Sequence, residues 1–187
     1  MILGIDPSTY FEVLEKGPHY RYQGKEVEPL SLLHDQNGVT VMRIRLWVDP
    51  YDEKGTPYHG GTNDWPTFLR LAQLGMSKGY TIMLDFHYSD FWCDPSKQTL
   101  PKSWMNSSAT GVARKLYEYT KNTLQKCLEN HLDITYIQIG NEITNGMLWP
   151  LGYLDGNPQG GHRIGYDNLC LFLASGAKAC REVMPQA

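Results

Sequence analysis

Four short runs of apolar and β-branched residues stand out along the chain: Ile2 to Asp6, Thr40 to Val48, Thr81 to Phe86 and Ile134 to Gly140. Each has the length and composition of a strand in a buried sheet. The segments between them carry a helical rhythm. Trp65, Phe68, Leu69, Ala72 and Met76 mark one face of a helix over Trp65 to Lys78, with Gly79 as its stop. Ala113, Leu116, Tyr117, Thr120, Leu124, Cys127 and Leu128 predict a second helix from Gly111 to Asn130. Leu169, Cys170, Leu173, Ala177, Cys180 and Val183 predict a third from Tyr166 to Met184, closed by Pro185. A shorter helix, Leu30 to Asp35, runs up to the turn signal Asn37-Gly38.

Strand and helix therefore alternate four times, with strand starts roughly 40 to 53 residues apart. Such alternation implies an α/β fold with a parallel sheet and right-handed crossovers. The sheet is either open and doubly wound or part of a (β/α)8 barrel. A nucleotide-binding sheet would show a glycine fingerprint after its first strand. Here Gly4 lies within the strand, and Gly60-Gly61 and Gly160-Gly161 are isolated pairs. Polar and aromatic residues follow every strand, as expected where all strand ends open onto one site. Both features favour the barrel.

A complete barrel takes ~250 residues and eight such units. The 187 residues supply about four, so the whole chain is expected to be the N-terminal half of one catalytic domain, stopping before a fifth strand. Half a barrel leaves two strand edges unpaired and one face open, from which marginal stability or self-association is expected.

Composition narrows the partners. The net charge is −3 and no Lys/Arg block occurs, which argues against nucleic acid or an anionic membrane. No apolar run reaches the ~18 residues of a membrane span, and no signal peptide is visible at the N-terminus. Cys93, Cys127, Cys170 and Cys180 lack metal-ligand spacing, and the last three are expected in helix cores. No metal site is expected.

The candidate chemistry sits at the strand ends. Ile134 to Gly140 terminates in Asn141 and Glu142. A carboxyl buried at a strand tip would resist ionisation and serve as a proton donor, and the amide beside it suits a substrate rich in hydroxyls. Arg43, Arg45 and Trp47 alternate along the second strand and so share a face. The arginines either bind carboxylates in a barrel mouth or form a structural salt bridge, for example to Asp85. The third strand runs into Asp85-Phe-His-Tyr-Ser-Asp-Phe-Trp-Cys-Asp-Pro-Ser-Lys97. This concentration of aromatic rings and polar groups is what a carbohydrate groove requires: stacking on sugar faces and hydrogen bonds to hydroxyls.

Three of these runs, Val41-Met-Arg-Ile-Arg-Leu-Trp-Val-Asp-Pro50, Leu84-Asp-Phe-His-Tyr-Ser-Asp-Phe-Trp92 with Asp94-Pro95 and Lys97-Gln98, and Ile137-Gln-Ile-Gly-Asn-Glu142, resemble glycoside hydrolase family 53. These are endo-β-1,4-galactanases acting on type I arabinogalactan, and the resemblance covers nearly the whole chain. It implies a retaining hydrolysis with one Glu after strand four as general acid/base and another after strand seven as nucleophile. Glu142 matches the acid/base, and Asn141 matches the residue that contacts the sugar 2-hydroxyl. Arg43, or Arg45 one alternation further on, matches an arginine near the nucleophile, and His87 matches an active-site histidine. Trp92, Asp94, Pro95, Ser96 and Lys97 would line sugar subsites, with Asp90 as a further substrate contact.

No residue matches the nucleophile. The resemblance further implies a polysaccharide substrate, an extracellular protein and no cofactor for the chemistry; calcium, known in some members, would find its ligands mostly in the other half of the barrel. Two alternatives remain open: another retaining member of the wider clan, such as a cellulase or mannanase, and a non-catalytic carbohydrate-binding remnant.

Overall fold

A computed structural model describes residues 1–154 and 163–187. The Gly160-Gly161 pair lies outside the described residues. In chain order the elements are β1 (Gly4–Ile5), α1 (Tyr10–Leu14), β2 (Arg21–Tyr22), β3 (Lys25–Glu26), α2 (Pro29–Asn37), β4 (Val41–Leu46), α3 (Trp65–Ser77), β5 (Thr81–Phe86), α4 (Ala109–Glu129), β6 (Ile134–Ile139), β7 (Gly146–Met147), β8 (Gly152–Tyr153) and α5 (Arg163–Val183). The four strands anticipated from the sequence form one parallel sheet in the order β1-β4-β5-β6. That order never reverses. A doubly wound sheet would turn back at its switch point, so the winding is that of a (β/α)8 barrel.

The sheet has two unlike faces because its side chains alternate. Met42, Ile44 and Leu46 of β4, with Ile82, Leu84 and Phe86 of β5, point to the helices and are buried. They meet Phe68, Leu71 and Ala72 of α3 and Val112, Leu116 and Leu124 of α4 in one continuous core. Each such side chain contributes about 1.5–3 kcal/mol by leaving water. On the other face, register places Arg45, Asp85 and Gln138 side by side. This polar row is the floor of the site.

Boundaries and faces differ from expectation in places. The ladder of β1 holds only Gly4 and Ile5, while Ile2 and Leu3 are exposed. The short helix α1 and the hairpin β2–β3 interrupt the first crossover; they are too brief to leave a periodic trace. On α5 Gly165, Phe172, Gly176 and Ala179 are buried, and Leu169, Leu173, Cys180 and Val183 pack partly buried against the core, whereas Cys170 is exposed, contrary to its expected place there. The helix packs chiefly on α4 and only lightly on β6.

One charged side chain ties the first crossover together. Glu28 caps α2, accepting from the amides of Leu30 (3.0 Å) and Ser31 (2.8 Å), while Pro29 opens the helix and Gly38 closes it with a φ of 67°. The same carboxylate accepts from Tyr10 Oη (2.7 Å) and pairs with Lys78 Nζ (2.6 Å) at the end of α3. Partial burial works to raise the Glu28 carboxyl, but Lys78, Ser31 and Tyr10 outweigh it and bring it down to about 2.

A carboxyl whose folded pKa lies below its unfolded value stabilises the fold above the unfolded pKa and loses that contribution as pH falls through the folded one. The substitution E28A is therefore expected to cost about 1 kcal/mol near neutral pH, the usual worth of a helix cap. Urea unfolding at successively lower pH should show the gap to the parent narrowing below 4.5 and closing near 2.

Candidate active site

The C-terminal ends of β1, β4, β5 and β6 converge on one guanidinium. Arg43 donates from Nε to Gln138 Oε1 (3.1 Å) and from Nη2 to Asn141 Oδ1 (2.6 Å). Its Nη1 pairs with Asp6, just beyond β1, and Nη2 lies 2.6 Å from Asp85 Oδ2 on β5. One planar, permanently charged fork thus links all four strands. Both alternatives raised for the arginines apply: Arg43 forms the salt bridge to Asp85 and also touches the Asn-Glu tip.

Asp85 is fully buried. Its neighbours Arg43 Nη2 and His87 Nε2 (3.0 Å) stand at ion-pair distance without the alignment of hydrogen bonds, so the carboxylate is held mainly by Coulomb attraction. His87 is buried too, and its Nδ1 accepts from the amide of Cys93 (3.1 Å). That bond leaves the ring proton on Nε2, facing Asp85. Burial and the Ser8, Arg45 and Arg43 contacts act in opposite directions on Asp6; burial raises its carboxyl, and the hydrogen bonds and charges prevail and hold it below the usual range.

Asn141 is pinned at both ends. While Oδ1 accepts from Arg43, Nδ2 donates to Cys93 O (2.7 Å), so the amide cannot flip without losing both. Gln138 Nε2 donates to Gly140 O (2.9 Å) beneath the same turn. Gly140 has a φ of 89°, and an added Cβ would stand 2.8 Å from Ile143 Cγ2, so this bend requires glycine. Glu142 follows in the left-handed region, with φ 50° and ψ 45°.

The side chain of Glu142 is exposed, not buried as its strand-tip position suggested. The turn lifts it off the sheet, so these residues alone do not desolvate the carboxyl. Trp92 is 39% exposed, with one face over the Arg45 guanidinium (4.2 Å) and its edge towards His87. Arg45 is buried, and its Nε reaches Asp6 (3.3 Å).

The remaining candidates divide. Pro95, Ser96 and Lys97 are exposed on the loop that leads away from Trp92, with Asp94 half-buried at its start. Asp94 accepts from the Ser96 amide (2.7 Å), and Lys97 lies over the Phe91 ring (5.2 Å). Asp90 does not join the cluster. Its two oxygens accept from the amides of Asp49 (3.1 Å) and Lys102 (2.7 Å), and Lys102 Nζ in turn reaches Asp49 O (2.9 Å) and Asp49 Oδ2 (2.8 Å). These contacts staple the loop after β4 to the loop after β5. Burial raises the Asp90 carboxyl, an effect the Lys102 contacts only partly offset.

Sequence reasoning missed Asp6, Gln138 and the backbone of Cys93. Gln138 was detectable as the lone polar side chain at an inward position of an apolar strand. Among the described residues no group of three or more His, Cys, Asp or Glu side chains converges to hold a metal ion, and no helix is long and apolar enough to cross a membrane.

Known proteins place this arrangement. The profile of glycosyl hydrolase family 53 matches residues 2–187. The endo-beta-1,4-galactanase of Bacillus subtilis is 37% identical over 182 residues, which are 97% of this chain and 39% of that protein. The arabinogalactan endo-beta-1,4-galactanase A of Aspergillus niger is 36% identical over 174 residues, 93% of this chain and 45% of the relative. Among solved structures, the GH53 catalytic domain of Ignisphaera aggregans superposes with a TM-score of 0.85 at 38% identity, covering 99% of this chain and 49% of that one. A fungal beta-1,4-galactanase gives 0.83 at 28% identity, covering 100% and 51%. The chain thus spans about half the length, or less, of the proteins it matches. With its singly wound parallel sheet and its Asn-Glu strand tip, the chain belongs to glycosyl hydrolase family 53.

Proposed function

We propose that this chain is the acid/base-bearing part of a retaining endo-β-1,4-galactanase acting on type I arabinogalactan. The observation that carries this reading is the Arg43 fork, which locks Asn141 beside Glu142 at the strand ends while Trp92 stands exposed next to it. In the closed barrel, Glu142 protonates the glycosidic oxygen as the bond breaks and then takes a proton from the water that releases the sugar. Asn141 keeps one N–H free for a hydroxyl of the bound sugar, since its other polar contacts are fixed.

Retention also needs a nucleophilic carboxylate about 5–5.5 Å from the acid/base. The nearby aspartates of this chain are otherwise engaged. Among the described residues, Asp85 is buried between Arg43 and His87, Asp6 is held by Arg43, Arg45 and Ser8, and Asp49 and Asp90 are held by Lys102 and backbone amides. We take the nucleophile to be the Glu that the resemblance to family 53 implies after strand seven.

Two experiments test this. Incubated with potato galactan, the 187-residue chain should release no oligosaccharides; release that E142Q abolishes would show that a second carboxylate is already present. Joined to the remaining residues of the Bacillus subtilis relative, the chain should yield β-1,4-galacto-oligosaccharides, with E142Q lowering kcat by roughly 10²- to 10⁴-fold. Full activity of E142Q in that chimera would remove Glu142 from the mechanism.

In the same chimera R43K should lose most activity while the fold persists. A single ammonium cannot meet Asp6, Asp85, Gln138 and Asn141 together. Activity of R43K within a factor of about two of the parent, well inside the ~10-fold that 1.4 kcal/mol represents, would contradict the role given to the fork.

A further inference from the structure

Gln98 lies outside the catalytic cluster and takes no part in the steps above. It is 1% exposed, in the loop after β5. Its Nε2 stands 2.7 Å from Asn141 O, 3.1 Å from Asp94 O and 3.4 Å from Glu142 O. All three neighbours are carbonyl oxygens, which identifies this end of the side chain as the NH2 group. The other end, Oε1, is buried without a partner. Burying an amide with its oxygen unpaired is unfavourable, so the worth of the residue lies in its donor end.

Its two N–H groups serve three acceptors: besides Asp94 O, they meet Asn141 O on one side of Glu142 Cα in a close bond and Glu142 O on the other side in a longer, shared one. Orientation of the Asn141 peptide fixes φ of Glu142, and orientation of the Glu142 carbonyl fixes ψ. Those angles, 50° and 45°, lie in the left-handed region that a residue with a Cβ avoids. The clamp is itself anchored: Gln98 O accepts from the Trp149 amide (2.7 Å), and Asn145 Nδ2 donates to Pro95 O (2.8 Å). Both contacts join the loop after β5 to the loop that follows Glu142.

We infer that Gln98 is a positioning residue whose side-chain amide, by gripping the peptide groups that flank Glu142, keeps that residue in its left-handed conformation and so sets the direction of its carboxyl. The functional meaning rests on Glu142 being the acid/base; the conformational claim does not.

NMR of the labelled 187-residue chain, compared with Q98M, tests it. Methionine matches the length and removes the donors. In Q98M the Cα shift and the HN–Hα coupling of Glu142 should leave their left-handed values, while signals of the core residues Leu116 and Leu124 on α4 stay in place. A cycle of melting temperatures gives a second readout. Glycine adopts left-handed angles without strain, whereas a Glu142 released by Q98M recovers the strain of holding them, so Q98M should lower the melting temperature more in an E142G background than in the parent. If Q98M alone does not fold, Q98M/E142G should.

A folded Q98M that retains left-handed Glu142, equal losses of melting temperature in both backgrounds, or failure of Q98M/E142G to fold would each overturn the inference. The outcome is separable from the galactan test. A displaced Glu142 together with a chimera insensitive to E142Q would leave the clamp standing and remove its catalytic purpose.

Discussion

The attraction between Arg43 and the buried carboxylate of Asp85 is the constraint on which the rest of the site depends. Removing a carboxylate from water carries an effective penalty of roughly several kcal/mol, and only a close, permanently charged partner makes that tolerable. The guanidinium at 2.6 Å meets the need and has donors to spare. Those spare donors reach Asp6, Gln138 and Asn141, so the group that neutralises the sheet's interior also sets the position of the strand tips. Stability of the polar floor and geometry of the cleft are thus served by one side chain.

Around that fork, the site is organised largely by main-chain groups. Cys93 contributes an amide that fixes the His87 tautomer and a carbonyl that fixes the Asn141 amide, while its buried thiol, pushed up to about 12 chiefly by desolvation, takes no part in either. The bend at Gly140 and the left-handed Glu142 lift the carboxyl clear of the sheet. Asn141 and His87 are buried and held by hydrogen bonds, while Glu142 is exposed. Such preorganisation places dipoles before the reaction begins, which is where enzymes obtain much of their electrostatic advantage.

Much of this was legible in the sequence, for physical reasons that also explain the gaps. Strands β4, β5 and β6 and helices α3 and α4 bury continuous apolar faces, so their residues carry a periodic signal, and the Gly-Asn-Glu break after β6 marks a strand tip. Arg43 and Arg45 were assigned to one face because strands alternate. The hairpins β2–β3 and β7–β8, with two residues per strand, are too short for any period to register. Asp90 read as a substrate contact because it lies in a run of aromatic and polar residues, yet its partners are amides 41 and 12 residues away, a pairing that only folding creates. Burial of Glu142 was inferred from the strand before it; the positive φ values at Gly140 and Glu142, which send the chain outward, are invisible to hydrophobic pattern. On α5 Cys170 alone of the expected stripe is exposed, since how far a stripe is buried depends on which helix lies alongside.

Among the described residues β6 pairs with β5 alone, and it is β6 that delivers Glu142. Its pairing already contains an irregularity near Ile82 and Met83. Whatever pairs with the other flank of β6 therefore acts directly on the reach and tilt of Glu142. Successive residues of a strand face opposite ways, so an offset of a single position in the adjoining strand would turn its inward side chains outward. Fidelity of one seam in the barrel wall is in this way equivalent to placement of the Asn141-Glu142 tip.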